Sequence, residues 1–194
     1  MKREEFLAAL RARPAGSHLP PEPEPPDLPP PPPDLATAFR EAAQRVGSRV
    51  VEGTLAELQD VLRKEVGDAA ALRGDEQPVA RLCQGIAVHP AEDAFGAAWG
   101  VALADGALAR TGSLCFVRRP ASPLTASLVP PRIAVLVPRS RIVWDLGDYL
   151  AAPPDGGSLA IVSGPSRSAD IENDLSIGVH GPGDVLILLW RDEA

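Results

Sequence analysis

A chain of 194 residues has the length of one globular domain with additions, and 45% apolar residues are enough for a core. A net charge of −7 and a pI near 5.0 set the surface against phosphate backbones. The arginines that could answer (Arg118, Arg119, Arg132, Arg139, Arg141) are scattered and aromatics are only 4%, so no nucleic acid is expected as a partner.

In chain order, residues 2–13 predict a short helix with Phe6, Leu7 and Leu10 on one face. Such a helix is marginal alone. It must dock on its own globular part, on another copy in a homo-oligomer, or on a partner. Its charges flank too short an apolar face for a secretory signal. No apolar run approaches the roughly 20 residues that a membrane span needs. The expectation is a soluble, cytoplasmic protein.

Residues 14–33 hold eleven of the 22 prolines. Proline fixes φ and removes a donor, so PPEPEPPDLPPPPP (20–33) predicts an extended linker spanning roughly 40 Å. The sequence also suits a ligand for a proline-reading domain, but linker is the preferred reading.

From Asp34 onward an α/β domain is expected, running over 34–194. Asp34 is placed as N-cap of a helix carrying Leu35, Phe39, Ala42 and Val46, ended by Gly47. SRVVEG (48–53) reads as a strand. Thr54 and Glu57 form a capping-box pattern before Leu55, Leu58, Leu62 and Val66. Residues 67–77 read as a polar loop, 80–88 as a strand region, 98–109 as a short helix with loops, and 113–117 as a strand. The runs 132–137, 158–163 and 184–190 are near-continuously apolar, as in strands of a mainly parallel sheet covered on both faces.

Cys83 and Cys115 are distant, there is no CxxC, and His18, His89 and His180 are far apart. A zinc or iron–sulfur centre needs several close soft ligands. No metal and no cofactor is therefore expected, and the cysteines read as reduced buried thiols.

The stretch SGPSRSADIENDLSIGVHGP (163–182) mixes turn residues, carboxylates, an arginine and a histidine. A strand, a short helix over ADIENDLS capped by Ser168, and a second strand suit a right-handed crossover. That places Ser163, Gly164, Ser166 and Arg167 at the carboxyl ends of the sheet strands, where parallel sheets bind ligands. Backbone N–H groups, two hydroxyls and a guanidinium suit a small anionic ligand. The alternatives are a shaping turn and an Arg167 paired with Asp170 or Asp174. His180 is open to three roles: general base, ligand contact or turn residue.

IVSGPSRSADIENDLSIGVHGPGDVLILLW (161–190) resembles the closing signature of the LUD domain family, the lactate utilization protein C (LutC/YkgG) group. ADGALARTGSLCF (104–116) and LVPPRIAVLVPRSRIV (128–143) are similar to two further blocks of that family, in the same order over about 35–194. The resemblance implies a fold like that of the NagB/RpiA/CoA-transferase group. It implies a subunit supporting oxidation of L-lactate to pyruvate beside iron–sulfur lactate utilization proteins, which would carry the electrons. It also adds Thr111, Gly112, Ser113 and Gly181 to Ser163, Gly164, Ser166, Arg167, Asp170 and His180 as ligand-binding residues, with no catalytic residue assigned. Arg110 stands where the family has Glu before Thr-Gly-Thr. A cation cannot act as the nucleophilic carboxylate of CoA-transferases, which leaves an anion contact or a surface arginine. The other readings of the chain are a small-molecule enzyme acting on a sugar phosphate or CoA ester, and a purely structural assembly protein.

Overall fold

The computed structural model describes residues 3–11, 28–74, 76–89, 95–119, 124–152, 155–169, 175–178 and 181–191. The elements in order are α1 (Arg3–Arg11), α2 (Leu35–Arg45), β1 (Arg49–Gly53), α3 (Leu55–Val66), β2 (Ala71–Arg73), α4 (Gln77–Leu82), β3 (Val88–His89), β4 (Trp99–Leu103), β5 (Gly106–Leu108) and β6 (Ser113–Val117). They continue with α5 (Thr125–Leu128), β7 (Arg132–Pro138), a 3-10 turn (Arg139–Arg141), β8 (Ile142–Val143), α6 (Leu146–Ala151), β9 (Leu159–Val162), β10 (Arg167–Ala169), β11 (Leu175–Ile177) and β12 (Asp184–Trp190).

The chain divides into Met1–Pro30 and Pro31–Ala194. The first unit contains α1, with Glu4 and Glu5 in its first turn and Phe6 largely exposed. Most of the proline-rich stretch expected as a linker lies outside the described residues.

In the second unit both helix starts expected from the sequence are present. The Asp34 carboxylate accepts from the Ala36 and Thr37 amides at 3.0 and 3.2 Å and from the Thr37 hydroxyl at 2.7 Å. Thr54 and Glu57 cap α3 reciprocally. Between these helices β1 enters a six-stranded sheet of order β1-β12-β7-β4-β2-β3. Every neighbouring pair in it is parallel.

Strand alternation sorts the core into two layers. Ile133, Val135, Val137, Val185, Ile187 and Leu189 face α2 and a second sheet, with Phe39, Leu114 and Phe116 between. Ala134, Leu136, Leu186 and Leu188 face α3 and α4, through Leu58, Leu62, Val79 and Leu82. The second sheet has order β8-β5-β6-β9, in which β5–β6 and β6–β9 are antiparallel. A mainly parallel α/β sheet covered on both faces is thus the observed class, with one cover made partly of strands.

Several local expectations are corrected. Residues 98–109 form β4 and β5, not a helix. Two glycines in the run show how close the neighbours stand: a side chain on Gly100 would strike the Ala126 carbonyl, and one on Gly106 would strike the Tyr149 ring. Tertiary packing here overrides helix propensity. The 67–77 loop contains β2. The expected strand at 80–88 begins as the end of α4, a helix opened by a proline in its first positions. The ADIENDLS helix is replaced, at its described ends, by strands: β10 and β11 pair antiparallel with Arg167 opposite Ile177 and Ala169 opposite Leu175. The run at 158–163 is not a doubly buried parallel strand either. β9 lies in the second sheet, with Leu159 38% and Ile161 42% exposed.

Candidate functional site

Two glycine turns meet at the last turn of α2. Gly112, in the β5–β6 hairpin, has φ +68°, and its Cα faces the backbone of Ala42 and Ala43 with no room for a side chain. Gly164, after β9, has φ +74° and lies as closely against the Val46 carbonyl. Only glycine combines this backbone with this approach.

The packing joins the two sequence segments expected at the site. The Ser113 hydroxyl is buried and hydrogen-bonded to Thr111 Oγ1 at 2.7 Å and to Ser163 Oγ at 2.7 Å. Thr111 and Ser163 are exposed at the ends of this three-hydroxyl chain. The Ser166 amide donates to the Pro182 carbonyl at 2.7 Å, and the Gly178 amide donates to the Ser166 carbonyl at 2.9 Å. The Gly183 amide reaches the Pro131 carbonyl at 2.9 Å. The SGPSR turn is therefore laced to the turn that opens β12.

Between them lies an open cleft of about 490 Å3, walled by residues 161–167 with Leu128, Gly181 and Pro182. Ser163, Gly164, Ser166, Arg167 and Gly181 of the expected set line it. Thr111 and Ser113 reach it through the hydroxyl chain, and Gly112 faces α2 instead. Asp170 and His180 lie outside the described residues. Sequence reasoning missed Leu128, Ile161, Pro165 and Pro182, which also line it. It also missed the C-terminal end of α2 as the back of the site; Gly47 was its one visible sign, read only as a helix stop.

Arg167 is exposed, and its Nη2 donates to the Val46 carbonyl at 3.1 Å. It thereby satisfies an end carbonyl of α2 and sets a cation at the helix's negative pole. Gly47, at φ +96°, lets the guanidinium in: a Cβ there would stand 2.7 Å from Nη2. The expected Asp170 or Asp174 partners lie outside the described residues.

The location differs from expectation. Val46 and Gly47 precede β1, Gly181 and Pro182 precede β12, and Leu128 precedes β7, so the cleft sits at the amino ends of the parallel strands. The expectation assumed that β9 belonged to the parallel sheet. The carboxyl ends hold ion pairs instead. Arg139 bridges Asp34 at 3.4 Å and Glu52 at 3.3 Å, and Arg40 meets Glu52 at 3.4 Å. The Thr37 hydroxyl and amide, with help from Arg139, hold Asp34 below the usual carboxylate range.

A family model described as the LUD domain matches residues 34–190. The chain belongs to the LUD domain family. Over 86 residues it is 37% identical to the uncharacterized protein NMB1437 of Neisseria meningitidis, which takes in 42% of this chain and 37% of that protein. It is 26% identical over 190 residues to lactate utilization protein C of Geobacillus thermodenitrificans, covering 82% of this chain and 79% of that one. The protein of the same name from Bacillus pumilus is 29% identical over 191 residues, covering 82% and 80%. The crystal structure of a DUF162 family protein from Deinococcus radiodurans superposes with a TM-score of 0.62 at 18% identity, covering 80% of this chain and 96% of that one. That likeness is one of fold.

Within this LUD domain, Arg110 is exposed, and its amide is held by the Trp144 carbonyl at 2.9 Å. Burial pushes the Cys83 and Cys115 thiols up to about 11, which keeps both protonated and unreactive at neutral pH. Among the described residues no three His, Cys, Asp or Glu side chains converge on one point, and no helix is long and apolar enough to cross a membrane.

Proposed function

We propose that this LUD domain protein is a non-redox subunit of a lactate utilization system. It supports oxidation of L-lactate to pyruvate beside iron–sulfur partner proteins in the cytoplasm. The cleft between the SGPSR and Gly181–Pro182 turns holds a small carboxylate. The observation that carries the reading is the joining of the two family segments, 111–113 and 163–167, by the Thr111–Ser113–Ser163 hydroxyl chain. A carboxylate with a short apolar body suits such a site: the guanidinium and hydroxyls take the charge, and Leu128, Ile161 and Pro165 take the body. The lactate utilization proteins C that match most of the chain support the substrate.

The test is genetic. Deleting the gene should stop growth on L-lactate as sole carbon source, and the wild-type gene should restore it. Arg167→Ala, present at normal level, should not. Undiminished growth of the deletion strain on L-lactate would refute the assignment to lactate utilization.

A further inference from the structure

β9 ends the four-stranded sheet among the described residues. On its inner side the Arg118 amide donates to the Ser158 carbonyl at 2.8 Å. Antiparallel alternation then turns the N–H and C=O groups of Ala160 and Val162 toward β6. Those of Leu159 and Ile161 point away, to the free edge. The side chains of the same two residues stand on the exposed face, while Ala160 and Val162 pack against the core. Leu-Ala-Ile-Val contains no lysine, no proline and no charge, the devices that normally blunt such an edge.

We propose that β9 pairs antiparallel with the β9 of a second copy of this chain, about a two-fold axis at Ala160. The register follows from the backbone. Leu159 and Ile161 are the strand's outward-bonding residues, and rotation about Ala160 sets Leu159 opposite Ile161 of the other copy, twice. Each pair exchanges two hydrogen bonds. The operation also gathers both leucines and both isoleucines on one face, where each covers the other's exposed surface.

Charge favours this occupant. The chain carries −7 overall, yet the strand is neutral, so two copies meet here without like charges opposed. Antiparallel pairing lays the beginning of one strand beside the end of the other. A single sheet runs through both copies. Ile161 also lines the cleft, so the 155–159 run of the second copy flanks the cleft mouth. The pairing does not depend on what the cleft binds.

Sedimentation velocity on the full chain, up to about 100 μM, tests the pairing, because a dimer's population follows protomer concentration. The wild type should reach the dimer mass. Ile161→Lys and Leu159→Lys should remain monomeric with unchanged far-UV circular dichroism. A wild type that stays monomeric throughout overturns the proposal, as does a dimer that survives both substitutions. Hydrogen exchange on the wild type gives an answer that needs no variant. Protection of the Leu159 and Ile161 amides should rise with protein concentration, and protection independent of concentration overturns the proposal.

Discussion

β12 and β9 are written in the same alphabet, DVLILLW and LAIV, and end in opposite circumstances. β12 is central, paired in parallel with β1 and β7, and Val185 to Leu189 are almost inaccessible. Among the described residues β9 is an outer strand with one pairing neighbour, and one of its faces is exposed. An apolar run announces a strand; how many neighbours and layers cover it is decided elsewhere in the chain. The comparison also separates roles. The strand buried on both faces supplies rigidity, and the half-covered one carries the cleft turn at its end.

The comparison breaks most easily at β12. Leu188 is fully buried among the residues facing α3 and α4. Leu188→Ala leaves a cavity that rigid neighbours cannot close and should cost about 3 kcal/mol. Urea denaturation checks it, with Leu159→Ala as the partner measurement. Leu159, already 38% exposed, should cost well under half as much when the protein is dilute. Equal losses would mean that β9 is buried as deeply as β12.

The next largest effect is expected where the second sheet meets α2. Gly112→Ala must put a Cβ against the Ala43 backbone while keeping φ +68°. The strain and overlap together should cost about 2–3 kcal/mol. Gly85 is the internal control: its φ is +76°, but nothing lies within 4 Å of a Cβ placed there. Gly85→Ala should therefore show the cost of a positive φ without the overlap. Thermal melts of the two variants that coincide would show that the α2 contact contributes nothing.

How much of this was legible depends on range. Asp34, Thr54 and Glu57 act within one helical turn of themselves, so their caps could be read directly. Val135 and Ile187 alternate with Leu136 and Leu188 on a period that any parallel strand imposes. The alanines of 98–109 could not be read so simply. Alanine favours helix locally, and only Ala126 and Tyr149, distant in sequence, show why the glycines among them, Gly100 and Gly106, have no room for a side chain. The candidate site residues were visible as a cluster of unusual types. Their address was not, because it rests on which sheet β9 joins. The fact that Ser163 faces Ser113 across fifty residues is set by β6–β9 pairing and by no local pattern.

A smaller effect is expected from the hydroxyl chain. Ser113 is buried and bonded to both neighbours. Ser113→Ala removes the middle link, yet Thr111 and Ser163 are exposed and regain water. The net cost should be about 1 kcal/mol. Ser113→Thr offers a hydroxyl but adds a methyl in a closed space, so it should not recover the loss. A double-mutant cycle with Ser163→Ala checks the coupling; strict additivity would show that the 2.7 Å contact does not link the two segments.

Arg167 gives the smallest stability change and the clearest separation of tether from ligand contact. The one described bond of its exposed side chain goes to the Val46 carbonyl at the end of α2. Losing that bond and the charge at the helix end should cost about 1 kcal/mol or less, since water replaces the donor at the carbonyl. Arg167→Lys keeps a cation near the helix end, so it should recover part of that stability. It cannot offer a carboxylate the planar fork of a guanidinium, so a bidentate contact should not be recovered. The two substitutions therefore pull apart: lysine should resemble arginine in a melt and alanine in L-lactate-dependent growth. If lysine restores both in equal measure, Arg167 acts by charge at the α2 terminus, and the carboxylate contact in the cleft must be given to Ser163 and Ser166 instead.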